Sequence, residues 1–341
     1  MSSAERVRNA LEARREIVNE AVTTQLPIKK PEQLYEASRY LLDAGGKRLR
    51  PTILLLAAEA VSEVAPLEQT YRSFPSVHGE TIDILSAAVS IEVIQSFTLI
   101  HDDIMDDDDL RRGVPAVHQK YDLETAILAG DTLYSKAFEY MLATDAPAAK
   151  TVQALDSLAT TCTEICEGQA LDVSFESRND VTIAEYLEMI EYKTAVLYAA
   201  AASIPAILVG AEKPVVDNLY QYGLDIGRAF QIQDDLLDLT TPSETLGKQR
   251  GSDLVEGKRT IITLHARKQG VDIDNLVPAS PDPEDISAAV QTLDDVGSLD
   301  FARDMADDYV ENGKSNLEIL EAGKSRALLE DIADYLVERT H

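Results

Sequence analysis

Cations are scarce in this chain. Its 341 residues carry 31 Lys and Arg against 60 Asp and Glu, a formal net charge of -29. Nucleic acid is gripped by clustered cations, so this balance argues against nucleic acid as a partner. An acidic excess also keeps a chain soluble by self-repulsion and suits concentrated salt, where a Debye length of about 3 Å at molar strength screens most of the penalty. The composition is halophile-like. Cysteine is rarer still: Cys162 and Cys166 stand four apart in "TCTEICEG". With no second His or Cys pair at ligand spacing, zinc is not indicated, and small core thiols in a reducing cytosol are expected. Glycine (16) and proline (13) are few and fall at boundaries. No stretch alternates polar with apolar residues, so no strand is expected. The N-terminal "MSSAERVRNALEARREIVNEAV" lacks the apolar core of a signal peptide. The most apolar segment, "AVLYAAAASIPAILVG" at 195–210, is short for a membrane span and holds Pro205, so it reads as a buried helix. A soluble, cytoplasmic protein with no membrane span is expected.

What the chain does have is apolar content, 45% of its residues, enough for a large core and too much for disorder. The apolar positions recur with helical period nearly throughout, giving helices over about 4–22, 31–43, 51–64, 80–103, 123–143, 147–175, 182–209 (broken near 192), 214–238, 258–269, 283–293, 298–322 and 324–339. Gly45 and Gly46 end the second, and Pro51 opens the third. Length alone would allow two domains. The loops at 65–79 and 270–282 are too short for convincing linkers. The continuous patterning predicts one all-α domain over 1–341, a large helical bundle with its sites between facing helices.

The charge is unevenly spent. "LIHDDIMDDDDLRRG" (99–113) drives an apolar helical run into six aspartates within eight residues and then into two arginines. Like charges three and four apart destabilise a helix by a few tenths of a kcal/mol per pair, so a cation should join them. Asp102 and Asp106 at i and i+4, with Asp103 alongside, offer hard oxygen ligands suited to Mg²⁺ or Ca²⁺; a solvated acidic helix end is the plainer reading. That plainer reading weakens at "FQIQDDLLD" (230–238), where the pattern recurs as Asp234, Asp235 and Asp238 after another apolar run. Two D-D-x-x-D copies facing one another would hold several Mg²⁺ ions. Such ions call for a further anion, because Mg²⁺ is normally completed by water and substrate phosphates.

The few cations are gathered beside these motifs. "GGKRLRP" holds Lys47, Arg48 and Arg50; "LRRG" holds Arg111 and Arg112; "LGKQRGSDLVEGKRT" holds Lys248, Arg250, Lys258 and Arg259. Arg forks and Lys point charges both suit phosphate. Two anion sites are expected, one bridged by metal to aspartates and one held by cations alone.

With "GGKRLRP", "LIHDDIMDDDDLRRG", "GQALD" (168–172), "YKTAVL" (192–197), "FQIQDDLLD" and "GKQRGSDLVEGKRT" in this order, the chain resembles the trans-isoprenyl diphosphate synthases over nearly its whole length. Among them it is most like archaeal geranylgeranyl diphosphate synthases. The resemblance implies an all-α bundle around a deep central cavity, usually as a homodimer. It implies condensation of isopentenyl diphosphate with an allylic diphosphate (dimethylallyl, geranyl or farnesyl) through Mg²⁺-assisted ionisation to an allylic carbocation, with about three ions per site. Asp102, Asp103, Asp106, Asp234, Asp235 and Asp238 would be the metal ligands. Arg111, Lys193, Lys248 and Lys258 would surround the allylic diphosphate, and Gln231 and Lys193–Thr194 would offer dipoles to the carbocation. Lys47, Arg50, Arg112 and Gln95 would bind isopentenyl diphosphate, supported by Arg48. His101 is expected to be structural, and Asp107, Asp108 and Asp109 to stand behind the ligands or face solvent. No protein nucleophile is required, since the departed diphosphate can take the last proton.

In this family the prenyl tail runs along the helix leading into the first aspartates, so the residues four and five before Asp102 set its length. Here they are Thr98 and Phe97. Fifteen-carbon synthases of the animal type carry aromatic rings at both, so Thr98 leaves room while Phe97 blocks some of the tunnel. Geranylgeranyl diphosphate is the expected chief product, with farnesyl and twenty-five-carbon products as alternatives. A terpene cyclase would replace the second D-D-x-x-D and need no isopentenyl diphosphate site. A non-catalytic acidic bundle or silent subunit would show a damaged aspartate or cation set. Both sets are intact here.

Overall fold

The computed structural model describes residues 2–242, 250–278 and 280–338. Its helices are α1 (Ser3–Gln25), α2 (Glu32–Asp43), α3 (Leu49–Val61), α4 (Ile84–Met105), α5 (Val117–Lys120), α6 (Leu123–Leu142), α7 (Ala148–Phe175), α8 (Ile183–Ile190), α9 (Val196–Val209), α10 (Lys213–Thr240), α11 (Ser252–Val255), α12 (Ile261–Lys268), α13 (Pro283–Asp295), α14 (Ser298–Asn316) and α15 (Lys324–Glu338). The fold is all-α. The described residues fall into two compact units, one drawn from Met1–Cys162, Ala200–Tyr220 and Leu317–Asp331, the other from Thr163–Ala199, Gln221–Asn316 and Ile332–His341.

In the first unit α4 is the spine, packed against α6, α3 and α1. Its sequence is apolar nearly all round, the pattern of a helix enclosed by others. Asp83 caps its start by accepting a hydrogen bond from the Ser86 amide at 3.1 Å. The helical period suggested a start near 80, but Thr81–Ile82 pair with Phe74–Pro75 in a short antiparallel ladder, so the helix begins only at Ile84. By length and composition α4 and the stretch Ile183–Val209 could cross a membrane; 72% and 83% of their apolar windows are instead buried inside the protein, which makes them core helices.

No strand was expected, yet a second ladder pairs Leu110–Arg111 with Val114–Pro115. Two-residue strands have no period to read. This hairpin turns on Arg112 (φ 55°) and Gly113 (φ 76°), the two positive-φ centres of a tight hairpin turn. Its effect is to send neighbouring arginines in different directions.

In the second unit α12 packs on α14 and α8, around Ile232, Leu236, Ile261, Ile262 and Leu293. Thr182 and Glu185 form a capping box at the start of α8. Between α8 and α9 the chain makes a π-helical turn over Glu191–Ala195, at the break read from the sequence near 192. Such turns are rare and are frequently found at functional sites.

Candidate active site

The aspartate run is not one helical stripe. Asp102 and Asp103 lie in the last turn of α4, Asp106 is its C-cap, and Asp107 leaves the helix with φ 54°. Carboxylates at a helix C-terminus oppose its dipole, so a cation is needed there. Arg111 supplies one: its Nε and Nη2 reach Asp103 Oδ1 at 2.6 and 2.5 Å, and Nη2 reaches Asp108 Oδ2 at 2.9 Å. Asp103 is fully buried. Burial raises its pKa, and Arg111 opposes the rise. Its second oxygen, Oδ2, is buried and has no hydrogen-bond partner among the described residues. Leaving such an atom unmade is unfavourable by about 1–3 kcal/mol or more, and it fits a site meant to receive a cation. Among the described residues no three His, Cys, Asp or Glu side chains already converge as a metal group. His101, one residue earlier, is engaged in packing: its Nε2 lies 3.3 Å from the Ile127 carbonyl, and a Cβ on Gly130 would collide with the ring at 2.2 Å.

Arg112 points elsewhere. Its Nη1 donates to the carbonyls of Leu41, at 2.8 Å, and Gly45, and its guanidinium carbon lies where a Cβ on Gly46 would stand 3.0 Å away. The arginine thus clasps the "GGKRLRP" loop, leaving Lys47 exposed and Arg50 half-buried at the start of α3. Arg48 differs from the expectation that grouped it with the diphosphate-binding residues. It is 3% exposed, and its guanidinium is consumed by Glu92, Asn19 Oδ1 (2.8 Å) and the Leu42 carbonyl, so it holds the loop from inside. Gln95 lies half-buried on α4, one turn after Glu92. Glu92 escaped the sequence reading; the signal was a lone carboxylate in the apolar run of α4 that precedes the aspartates.

In the second unit a polar cavity of about 120 Å³ gathers five of the expected residues, Lys193, Thr194, Gln231, Asp235 and Lys258, with Asp172, Tyr186 and Asp253. Lys193 Nζ pairs with Asp172. A directed chain runs through the rest: the Thr194 hydroxyl donates to Gln231 Oε1 at 2.9 Å, Gln231 Nε2 donates to Asp235 Oδ1 at 3.2 Å, and the Tyr186 hydroxyl donates to Asp235 Oδ2 at 2.5 Å. Burial, then the charge of Asp253, push the Asp235 pKa well up. Asp238 is 1% exposed and anchors the following turn, accepting from Ser252 Oγ at 2.8 Å and the Asp253 amide at 3.1 Å. Asp234 is half-buried one residue before Asp235, and Lys258 Nζ lies 3.1 Å from Glu256. Lys248 lies outside the described residues. Tyr186 and Asp172 were missed as site residues; "GQALD" had marked the neighbourhood of Asp172, whereas Tyr186 carried no signal beyond a helical apolar position.

The two length candidates diverge. Phe97 turns toward α6, its ring 4.9 Å from His101 and 5.2 Å from Tyr134, which in turn meets Phe138 at 5.2 Å. Thr98, four before Asp102 and on its side of α4, folds its hydroxyl back to the Gln95 carbonyl at 2.9 Å.

Known proteins are similar to this chain in sequence and in fold. The polyprenyl synthetase family profile matches residues 31–293. The chain is 72% identical to the geranylfarnesyl diphosphate synthase of Natronomonas pharaonis over all of both chains. It is 51% identical to the geranylgeranyl diphosphate synthase of Methanosarcina mazei over 95% of each. Among solved structures it is similar to the geranylgeranyl pyrophosphate synthetases of Geoglobus acetivorans (43% identity, TM-score 0.87, 96% of this chain and 99% of that one) and Pyrococcus horikoshii (36%, 0.89, 99% and 100%). The chain belongs to the polyprenyl synthetase family and is a trans-isoprenyl diphosphate synthase.

Proposed function

We propose that this synthase condenses isopentenyl diphosphate with allylic diphosphates in a Mg²⁺-dependent reaction and carries the chain to twenty or twenty-five carbons. The observation that supports it most is the splitting of Arg111 from Arg112: adjacent in sequence, one serves the aspartates and the other the "GGKRLRP" loop. This is what two diphosphates, one with metal and one without, require.

Asp102, Asp103 and Asp106, with Asp234 and Asp235, are the carboxylates that would hold Mg²⁺, and Asp238 fixes the turn behind the latter pair. When bound, the ions would neutralise charge on the allylic diphosphate as it leaves. Arg111, Lys193 and Lys258 hold diphosphate oxygens by charge-assisted hydrogen bonds. Because Thr194 donates its proton to Gln231, its oxygen lone pairs remain for the positive carbon, a preorganised dipole of the kind that stabilises developing charge. Lys47, Arg50, Arg112 and Gln95 bind the diphosphate of the attacking substrate. The departed diphosphate accepts the proton lost when the new double bond forms.

For chain length, the bulk of Phe97 favoured twenty carbons. With Phe97 packed against Tyr134 of α6 and the smaller Thr98 in line with Asp102, the twenty-five-carbon product named for the Natronomonas relative becomes the favoured reading, with geranylgeranyl diphosphate as the shorter one. A homodimer fits the exposed apolar row Ile127, Leu128, Tyr134 and Leu142 on α6, since such patches commonly mark contacts. The test is to incubate the purified chain with labelled isopentenyl diphosphate, each allylic primer and Mg²⁺, and to separate the dephosphorylated products. Primer-dependent twenty- and twenty-five-carbon alcohols are expected; no elongation, or products ending at fifteen carbons, would overturn the reading.

A further inference from the structure

We propose that Glu92 is a positioning residue for the metal-free diphosphate site, the single buried carboxylate that holds its two arginine-bearing loops in register. The inference rests on the assignment of isopentenyl diphosphate to Lys47, Arg50 and Arg112. Glu92 sits in the middle of α4, 3% exposed. One oxygen, Oε1, takes Arg48 Nη1 and lies 3.7 Å from Arg112 Nη2. These arginines come from segments more than sixty residues apart in the chain, and each sits at positive φ, 51° at Arg48 and 55° at Arg112. Non-glycine residues hold that conformation only where their surroundings over-determine it.

The remaining contacts show what is fixed. Arg48 ties Asn19 and the Leu42 carbonyl; Arg112 ties the Leu41 and Gly45 carbonyls and lies flat on Gly46. Lys47 stands between Gly46 and Arg48. Its backbone is therefore clamped on both sides by guanidiniums that share one carboxylate. Two cations against one anion also leave the cluster with a net positive charge. A loop set this way is ready before the ligand arrives, so less ordering opposes binding. No metal is needed for that step.

The test is binding of isopentenyl diphosphate in a chelating buffer, followed by steady-state kinetics, for wild type, Glu92→Gln, Arg48→Lys and Glu59→Gln. Glu59 is the control: with Arg14 it forms another buried pair in the same unit, both 1% exposed, at the far end of α3. Wild type should bind without metal; if it does not, the assignment of the site itself fails. Glu92→Gln should weaken isopentenyl diphosphate, in Kd and KM alike, by about tenfold, because the loosened loop must then be ordered on binding, with the allylic KM nearly unchanged. Arg48→Lys keeps the charge opposite Glu92 but has one nitrogen where three now reach Asn19, Glu92 and Leu42 separately, so it should move the same constant in the same direction should Glu92→Gln fail to fold. Glu59→Gln should lower the melting temperature without splitting the two KM values. If Glu92→Gln and Arg48→Lys bind isopentenyl diphosphate as wild type does, shift both KM values equally, or lower only the apparent kcat as partial unfolding of Glu59→Gln would, the proposal is wrong.

Discussion

Gly168 on α7 meets the backbone of Lys193 so closely that a Cβ at 168 would stand 2.2 Å from the Lys193 nitrogen and 2.7 Å from its α-carbon. Backbone cannot swing aside as the tip of a side chain can. The glycine of "GQALD" thus permits the π-helical turn that presents Lys193 and Thr194. Gly168→Ala should destabilise by about 1–3 kcal/mol, as overpacking does, and should lower kcat more than the KM for isopentenyl diphosphate. Thermal unfolding and steady-state kinetics check both; an alanine variant with wild-type melting and turnover would contradict the packing account.

Tyr186 donates to Asp235 from full burial. Tyr186→Phe keeps the ring but leaves Asp235 Oδ2 without that donor, a loss of about 1–3 kcal/mol for a buried group. The Asp235 carboxylate, held then by Gln231 on its other oxygen, is oriented less firmly. A fall in kcat with little change in the isopentenyl diphosphate KM is expected, accompanied by weaker Mn²⁺ binding in the presence of pyrophosphate, followed by electron paramagnetic resonance.

Thr98→Phe should shorten the products, because it sets an aromatic ring in line with Asp102. Phe97→Ala should leave product length alone and lower stability by roughly 1–3 kcal/mol, less than for a fully buried ring, by emptying the contact with Tyr134. Chromatography of dephosphorylated products and a melting curve separate the two. Longer products from Phe97→Ala would return Phe97 to the floor of the tunnel.

Glu185 lies beside Tyr186 at the start of α8. The Thr182 amide, and then Arg178 and the Thr182 hydroxyl, hold its carboxyl down to about 2. Its folded pKa is depressed, so its contribution is fully present above the unfolded value near ~4.3 and is lost as pH falls toward 2. The melting temperature of Glu185→Gln should therefore lie below that of wild type at neutral pH, with the gap closing between those limits. A gap that stayed constant across them would contradict the assignment.

Much of this was legible in the sequence because it was periodic or clustered. The helical fold followed from spacing, and the two aspartate sets from their repetition. What escaped was set by backbone geometry. Nothing in "LRRG" says that a two-residue turn sends Arg111 to Asp103 and Arg112 to Gly46. Arg48 looked like its neighbours Lys47 and Arg50 until a positive φ turned it inward. Glu92 and Tyr186 were hidden for the opposite reason: each lies singly at a buried position of its helix, outside any cluster, and only tertiary contact reveals its partner.

The dependence of turnover on both aspartate sets is the centre of the account, and single-turnover kinetics of Asp103→Ala and Asp235→Ala at saturating Mg²⁺ test it most directly. Each variant removes one carboxylate proposed to hold metal against the leaving diphosphate, and each should slow condensation by several orders of magnitude while binding isopentenyl diphosphate normally. Near-native single-turnover rates in either variant would contradict it.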